Sequence, residues 1–290
     1  MSTGRLASFV RLAMLIFLVG VASSAAGAQE ASLQERWRAA IAGTSFAEPV
    51  RVASEQRSYS VSGSVHARLP QPFPALDEEL TSAGAWCEIL FLHLNVKACR
   101  ADDEGGNATL RVHVGRKHYQ SLQEAERLDL QFHVGARQPG YLAVVLEGDR
   151  GPYDTRAFRL RLRAIPDGEE ASLIELRYSL VYGTPARVAL WAYFTFAGRD
   201  RVGFTVEGHD ARGEPRYVGG MRGMIERNVM RFYLALRVHL AGREQRLETR
   251  LRRWFAATER YPRQLRELDE ASYLEQKRRA HRRHQALRGE

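Results

Sequence analysis

The sequence predicts an α+β fold: a curved antiparallel sheet of about seven strands gripping a long C-terminal helix, with two short helices after the first strand. Three observations predict it. Apolar and polar residues alternate in a series of segments between Tyr59 and Tyr182. The gaps between them are short and rich in Gly, Pro, Asp and Asn, so neighbouring strands are antiparallel. After Gly219-Gly220 the period changes to that of a helix. With 44% apolar residues in 290, the chain is not disordered, and 24 Gly and 2 Cys exclude collagen-like and disulfide-scaffold classes.

The chain opens with the three-part pattern of a secretory signal peptide. Arg5 and Arg11 are positive, Leu12 to Val21 is apolar, and Ala26-Gly27-Ala28 supplies small residues before Gln29. The apolar run is short for a membrane span of about 20 residues. An uncleaved anchor is the competing reading. Cleavage near Ala28 sends the protein to the periplasm or outside the cell and removes two positive charges from the net +9. Residues 29–56 read as a lead-in, short helical or irregular over 29–45, with 57–261 as the folded domain and 262–290 as a basic tail.

Tyr59, Val61, Val65, Ala67 and Leu69 alternate with polar residues, which makes the first strand, and Pro70, Pro72 and Pro74 end it. Ala75 to Thr81 is an acidic amphipathic helix. Ala85 to Leu94 is apolar nearly all round and predicts a buried one. Asp102 to Asn107 reads as a turn. Leu110 to Val114, Leu128 to Val134, Tyr141 to Leu146, Phe158 to Ala164 and Ile174 to Tyr182 are strands. Val188 to Ala197 and Val202 to Val206, joined by Gly198-Arg199-Asp200, extend the series. Met221, Ile225, Val229, Phe232, Tyr233 and Leu236 then share one helical face. Gly242 interrupts this pattern, and a charge-rich helix resumes towards Pro262.

Cys87 and Cys99 are the two cysteines, and in an exported protein they are expected to pair. A helix running unbroken between them would separate the Cα atoms by about 18 Å, whereas a disulfide needs about 4.4–6.8 Å. The bond therefore requires a chain reversal near Asn95 to Lys97. A metal pair or redox couple is the alternative, but there is no C-x-x-C motif, and two thiols alone make a poor zinc site.

The strand-then-two-helices opening and the closing helix GGMRGMIERNVMRFYLAL (219–236) carry a resemblance. In element order across about Tyr59 to Phe255, the chain resembles the START-like, or helix-grip, superfamily, which includes Bet v 1-like and polyketide-cyclase-like proteins. The resemblance implies an apolar cavity between sheet and helix that holds a lipid, sterol or other hydrophobic molecule. In some members it also implies catalysis there.

The sequence holds no G-x-S-x-G, P-loop or H-E-x-x-H motif, and nothing in it calls for a metal or cofactor. The candidate ligand-binding residues are Tyr178, Trp191, Tyr193, Arg222, Glu226 and Tyr233. Tyrosines and a tryptophan on neighbouring strands make an apolar wall with polar tips. Arg222 and Glu226 stand four residues apart on the helix, which favours an ion pair able to orient a head group. Glu226 is also the one candidate acid or base for an enzyme of the cyclase or hydrolase kind. The remaining reading is an accessory protein acting through partner contacts, and a cavity below about 300 Å³ favours it. Lys277, Arg278, Arg279, Arg282 and Arg283 form a basic run, read either as a solvated tail or as a patch for an anionic membrane surface. A nucleic-acid partner is not expected. His93 and Lys97 read as positive charges closing the buried helix. Arg159, Arg161 and Arg163 form a cationic row on one sheet face.

Overall fold

A computed structural model describes residues 32–44, 46, 48–104, 107–151, 155–183, 201–242 and 244–288. The signal-peptide pattern and the expected strand Val188 to Ala197 lie outside these residues.

Eight antiparallel strands form the main sheet: β1 (Val50–Gln56), β2 (Ser60–Leu69), β3 (Val96–Glu104), β4 (Asn107–Val114), β5 (Glu126–Gln138), β6 (Tyr141–Gly151), β7 (Thr155–Pro166) and β8 (Ser172–Tyr182). Their order is β1-β2-β8-β7-β6-β5-β4-β3, so the sheet is open, with β1 and β3 at its edges. All but one of the neighbouring pairs are consecutive in sequence. The exception, β2 beside β8, closes the register Val61↔Leu180 and Val65↔Leu176. Helices α2 (Phe73–Leu80) and α3 (Ala83–Leu92) carry the chain from β2 to β3 at the opposite edge. A short ribbon, β9 (Val206–His209) with β10 (Pro215–Tyr217), forms a separate sheet. Within the expected strand Val202 to Val206, only Val206 is in a strand, and it belongs to this ribbon.

The alternation places the same face of each strand inward. Leu142, Val144 and Leu146 of β6, and Leu160 and Leu162 of β7, are at most 1% exposed. Burying each such side chain contributes about 1.5–3 kcal/mol. A one-residue slip would turn them all to solvent, so the register is strongly specified. On the outer face the arginine row meets acids: Arg159 lies 3.4 Å from Glu147, and Arg163 lies 2.7 Å from Glu175.

The long helix α4 (Gly220–Leu240) lies across the inner face, with Ile225, Val229, Met230 and Leu234 fully buried. Its approach to β2 depends on Gly63. A Cβ there would sit 3.1 Å from the Ile225 carbonyl and 3.2 Å from the Val229 side chain. The helix stops at Leu240, and α5 (Leu247–Glu259) resumes beyond Gly242 as the pattern predicted.

The lead-in is helical where it was expected to be helical or irregular: residues 32–41 form α1, whose Trp37 and Ile41 pack with Ile165 and Leu173. Two parts of the sequence reading need correction. The sheet begins at Val50 within the lead-in, so the expected first strand is the second. The stretch from 262 is no loose tail: α6 (Pro262–Leu265) and α7 (Glu270–Arg288) follow, and Tyr273, Leu274, Lys277 and Ala280 are buried against the core.

Candidate ligand cavity

A cavity of about 240 Å³ lies between the sheet and α4. Val112 and Val114 of β4, Leu128 and Leu130 of β5, and Tyr178 and Leu180 of β8 line its sheet side. Met221, Met224, Asn228 and Phe232 line it from α4, and Leu90, His93, Asn95 and Val96 close one end. A β-bulge between Arg156 and Arg159 breaks the β7 ladder. Within it Ala157 takes a φ of +47°, a costly conformation for a residue with a Cβ. Thr155 and Phe158, on either side of it, face the cavity. Phe158 meets Tyr178 at 5.0 Å between ring centroids, Tyr178 meets Phe232 at 5.6 Å, and Phe232 stacks on His93 at 4.7 Å. No Asp or Glu is among the described lining residues. Burial raises the Tyr178 hydroxyl above the usual phenol range, so it stays protonated.

The polar end is built by the reversal after α3. His93, the C-cap of α3, has φ −64° and ψ 133°, which turns the chain out of the helix. Cys87 and Cys99 are thereby brought to a Cα separation of 5.2 Å and form the expected disulfide. His93 Nδ1 accepts the backbone N–H of Asn95 at 3.2 Å, and Asn95 Nδ2 donates to the Gly115 carbonyl at 2.7 Å.

Two buried lysines hold the turn from outside the cavity. Lys277 of α7 donates to the carbonyls of Phe91, His93 (2.6 Å) and Val96 (2.7 Å). Lys97 donates to Leu94 O at 3.3 Å and to Gln276 Oε1 at 3.0 Å. Burial lowers the Lys97 ammonium to about 8. His93 is not the cation that its position at a helix end suggests. Burial first, then the Arg231 and Lys277 charges, push it well below the ordinary imidazole value, and the ring is neutral.

Of the residues singled out in the sequence, Tyr178 lines the cavity. Tyr233 is 2% exposed but packs away from it, with the Arg237 guanidinium 5.9 Å from its ring. Trp191 and Tyr193 lie outside the described residues. Arg222 and Glu226 do not pair directly, because the Ser54 hydroxyl stands between them. Arg222 Nε donates to Ser54 Oγ at 3.1 Å, and Ser54 Oγ donates to Glu226 Oε1 at 2.6 Å. Arg222 Nη1 turns instead to Glu207 at 2.7 Å.

Glu226 is fully buried and acts as an anchor. Its Oε2 accepts the backbone N–H groups of Phe204 (2.6 Å) and Thr205 (2.9 Å), and its Oε1 accepts Thr205 Oγ1 at 2.7 Å. The neighbouring Arg227 donates to the carbonyls of Arg201 and Val202, so the two residues clasp the 201–205 segment. That approach requires a bare Gly203, where a Cβ would lie 2.5 Å from Glu226 Oε2. Sequence reasoning missed His93 and Phe232 as cavity residues. A lone histidine closing the apolar run WCEILFLHL was the available signal.

Among the described residues, no three or more His, Cys, Asp or Glu side chains cluster to hold a metal ion. None of the described helices is long and apolar enough to cross a membrane.

No protein-family model matches the chain, and no curated protein matches it. Solved structures similar to it are START and Bet v 1-like proteins. One is a STAR-related lipid transfer protein from Xanthomonas axonopodis, 12% identical, covering 68% of this chain and 97% of that one at a TM-score of 0.43. Another is the Zhui aromatase/cyclase from Streptomyces sp. R1128, 15% identical, covering 67% and 93% at a TM-score of 0.38. A third is norcoclaurine synthase from Thalictrum flavum, 9% identical, covering 51% and 79% at 0.33. The fold itself is read from the sheet order and the helix laid across the inner face. It is the helix grip.

Proposed function

We propose that the protein is exported and binds a small apolar or amphipathic molecule, such as a single-chain lipid, between the sheet and α4. The observation that carries this reading is the cavity, apolar on nearly every side with a few polar groups gathered at one end. Its volume limits the ligand. About 240 Å³ is below the 300–1,000 Å³ usual for drug-sized molecules, which leaves room for one acyl chain or a small aromatic rather than a two-chain lipid. A ligand burying about 250 Å² of apolar surface gains about 6 kcal/mol before the costs of association, which sets an affinity of tens of micromolar at best. Export rests on the N-terminal pattern and agrees with the disulfide.

The basic helix α7 adds a membrane-facing part to the proposal. Lys277 is excluded from it, being 1% exposed. Arg278 pairs with Glu248 and Arg279 lies 3.7 Å from Glu275, while Arg282 and Arg283 are exposed and free of acid partners among the described ion pairs. These arginines supply the charge that favours encounter with anionic lipid.

The same small volume favours a second reading, an accessory protein that acts through partners and carries no ligand. Native mass spectrometry of protein purified from its own compartment, with solvent extraction, separates the two. A stoichiometric small molecule supports the binding reading. Protein of bare mass that also fails to take up a small apolar dye supports the accessory one.

A further inference from the structure

The neutral His93 ring leaves a hydrogen-bond donor unused in the cavity wall. Its Nδ1 accepts the Asn95 N–H, so that nitrogen carries a lone pair and no proton. A neutral imidazole in that state holds its proton on Nε2. His93 is 4% exposed, lines the cavity, and its Nε2 is buried with no hydrogen-bond partner. Asn228 is near enough to favour a proton on the ring, yet no hydrogen bond of ordinary geometry reaches Nε2. A buried donor without an acceptor forfeits its hydration with nothing in return, so such atoms mark a place where a partner is due.

The surroundings select the kind of partner. Arg231 from α4, Lys277 from α7 and Lys97 from β3 are the side chains whose charge acts on the ring; Arg231 is paired with Glu267 at 3.0 Å, and burial lowers both lysines, Lys97 to about 8 and Lys277 further. Phe232 stacks on the ring and Trp254 of α5 lies 6.4 Å from it, both without charge. No Asp or Glu is among the described lining residues, so a carboxylate at this end meets a donor and no like charge in the wall.

We propose that the cavity takes an amphiphile whose head is an acceptor oxygen, best a carboxylate. The head accepts the Nε2–H of His93 beside the Asn228 amide, and the apolar part lies along Leu128, Leu130 and Phe158. This rests on the ligand-binding reading above and adds the chemistry of the head group. No bond is made or broken. The cavity discriminates by pairing one donor.

The test is calorimetric titration of the full chain with octanoate, heptyl methyl ketone and octylamine, alongside displacement of an uncharged apolar dye. Octanoate is expected to bind about tenfold or more tighter than octylamine, with the ketone between them. His93→Phe keeps the stack on Phe232 and removes the donor, and should remove octanoate's advantage while dye binding persists. Nitrogen-15 imidazole spectra of the wild-type protein should show His93 protonated on Nε2, with that signal moving on octanoate addition. This readout needs no variant to fold. Equal affinities for octanoate and octylamine, or a ring protonated on Nδ1, would overturn the proposal and leave apolar binding standing. Failure of all three amphiphiles and the dye to bind would overturn the ligand-binding reading as well.

Discussion

Glu226 holds the start of α4 to the sheet edge and to the 201–205 segment, so its replacement tests stability and function separately. The carboxylate is fully buried and accepts four hydrogen bonds, from Ser54 Oγ, Thr205 Oγ1, and the Phe204 and Thr205 N–H groups. In Glu226→Gln the amide carbonyl can keep the two backbone donors, and the two hydroxyls can rotate to accept from the new NH₂. What is lost is charge assistance, about 1 kcal/mol for each bond on the change from about 1.5–3 to about 0.5–1.5. The expected cost is about 2–4 kcal/mol. Glu226→Ala instead strands two backbone N–H groups and two hydroxyls, and should cost about 4 kcal/mol or more. Urea unfolding with an unchanged m-value gives both numbers. Octanoate affinity should stay within about twofold in Glu226→Gln, since this side chain does not line the cavity. A Gln variant as stable as wild type to within about 0.5 kcal/mol would refute the anchor. A stable variant that had lost binding or turnover would restore Glu226 to the site.

Three further outcomes follow from the polar end of the cavity. Reducing the Cys87–Cys99 bond, which spans 12 residues, should cost about 3 kcal/mol by loop entropy, read as a shift in urea midpoint with and without reductant. Lys277→Met keeps the apolar stem but strands the Phe91, His93 and Val96 carbonyls, and should cost about 2–4 kcal/mol by the same assay; an exposed tail lysine would cost under about 0.5. Below pH about 6.5 the unfolded chain takes up a proton at His93 that the folded chain refuses, so stability falls as the pH drops and is regained above it. His66, His113 and His281 share that sign. The stability difference between wild type and His93→Phe should therefore shrink with acid, and a difference independent of pH would contradict a buried neutral ring.

The strands that were legible in sequence are those with one wet and one dry face. β7 alternates over many residues and its burial follows, β8 does so from Leu176 onward, and β6 was legible instead as a continuous apolar run from Tyr141 to Leu146. β1 escaped notice because Val50 and Val52 are its only buried residues, too short an alternation to stand out. β3 was partly read as a turn because Arg100, Asp102 and Asp103 give it the composition of a loop. α7 was taken for a tail because its charge hides a narrow buried stripe, in which Lys277 occupies a position that composition assigns to solvent. For the site, Tyr178 was legible as a strand aromatic. Glu226 was not legible as an anchor, because its partners Ser54, Phe204 and Thr205 are distant or irregular in sequence, and helical spacing pointed to Arg222. The role of His93 depends on a backbone N–H two residues ahead and on lysines from two other elements, which no local pattern encodes.

Entry of a small ligand between the sheet and α4 is read out residue by residue by methyl-resolved NMR during titration with octanoate. Saturable shifts are expected at Leu128, Leu130, Met221, Met224 and Val112 together, with Ile41 and Ile165 on the outer face unmoved. Shifts confined to the outer face, or none inside the cavity at millimolar octanoate, would contradict it.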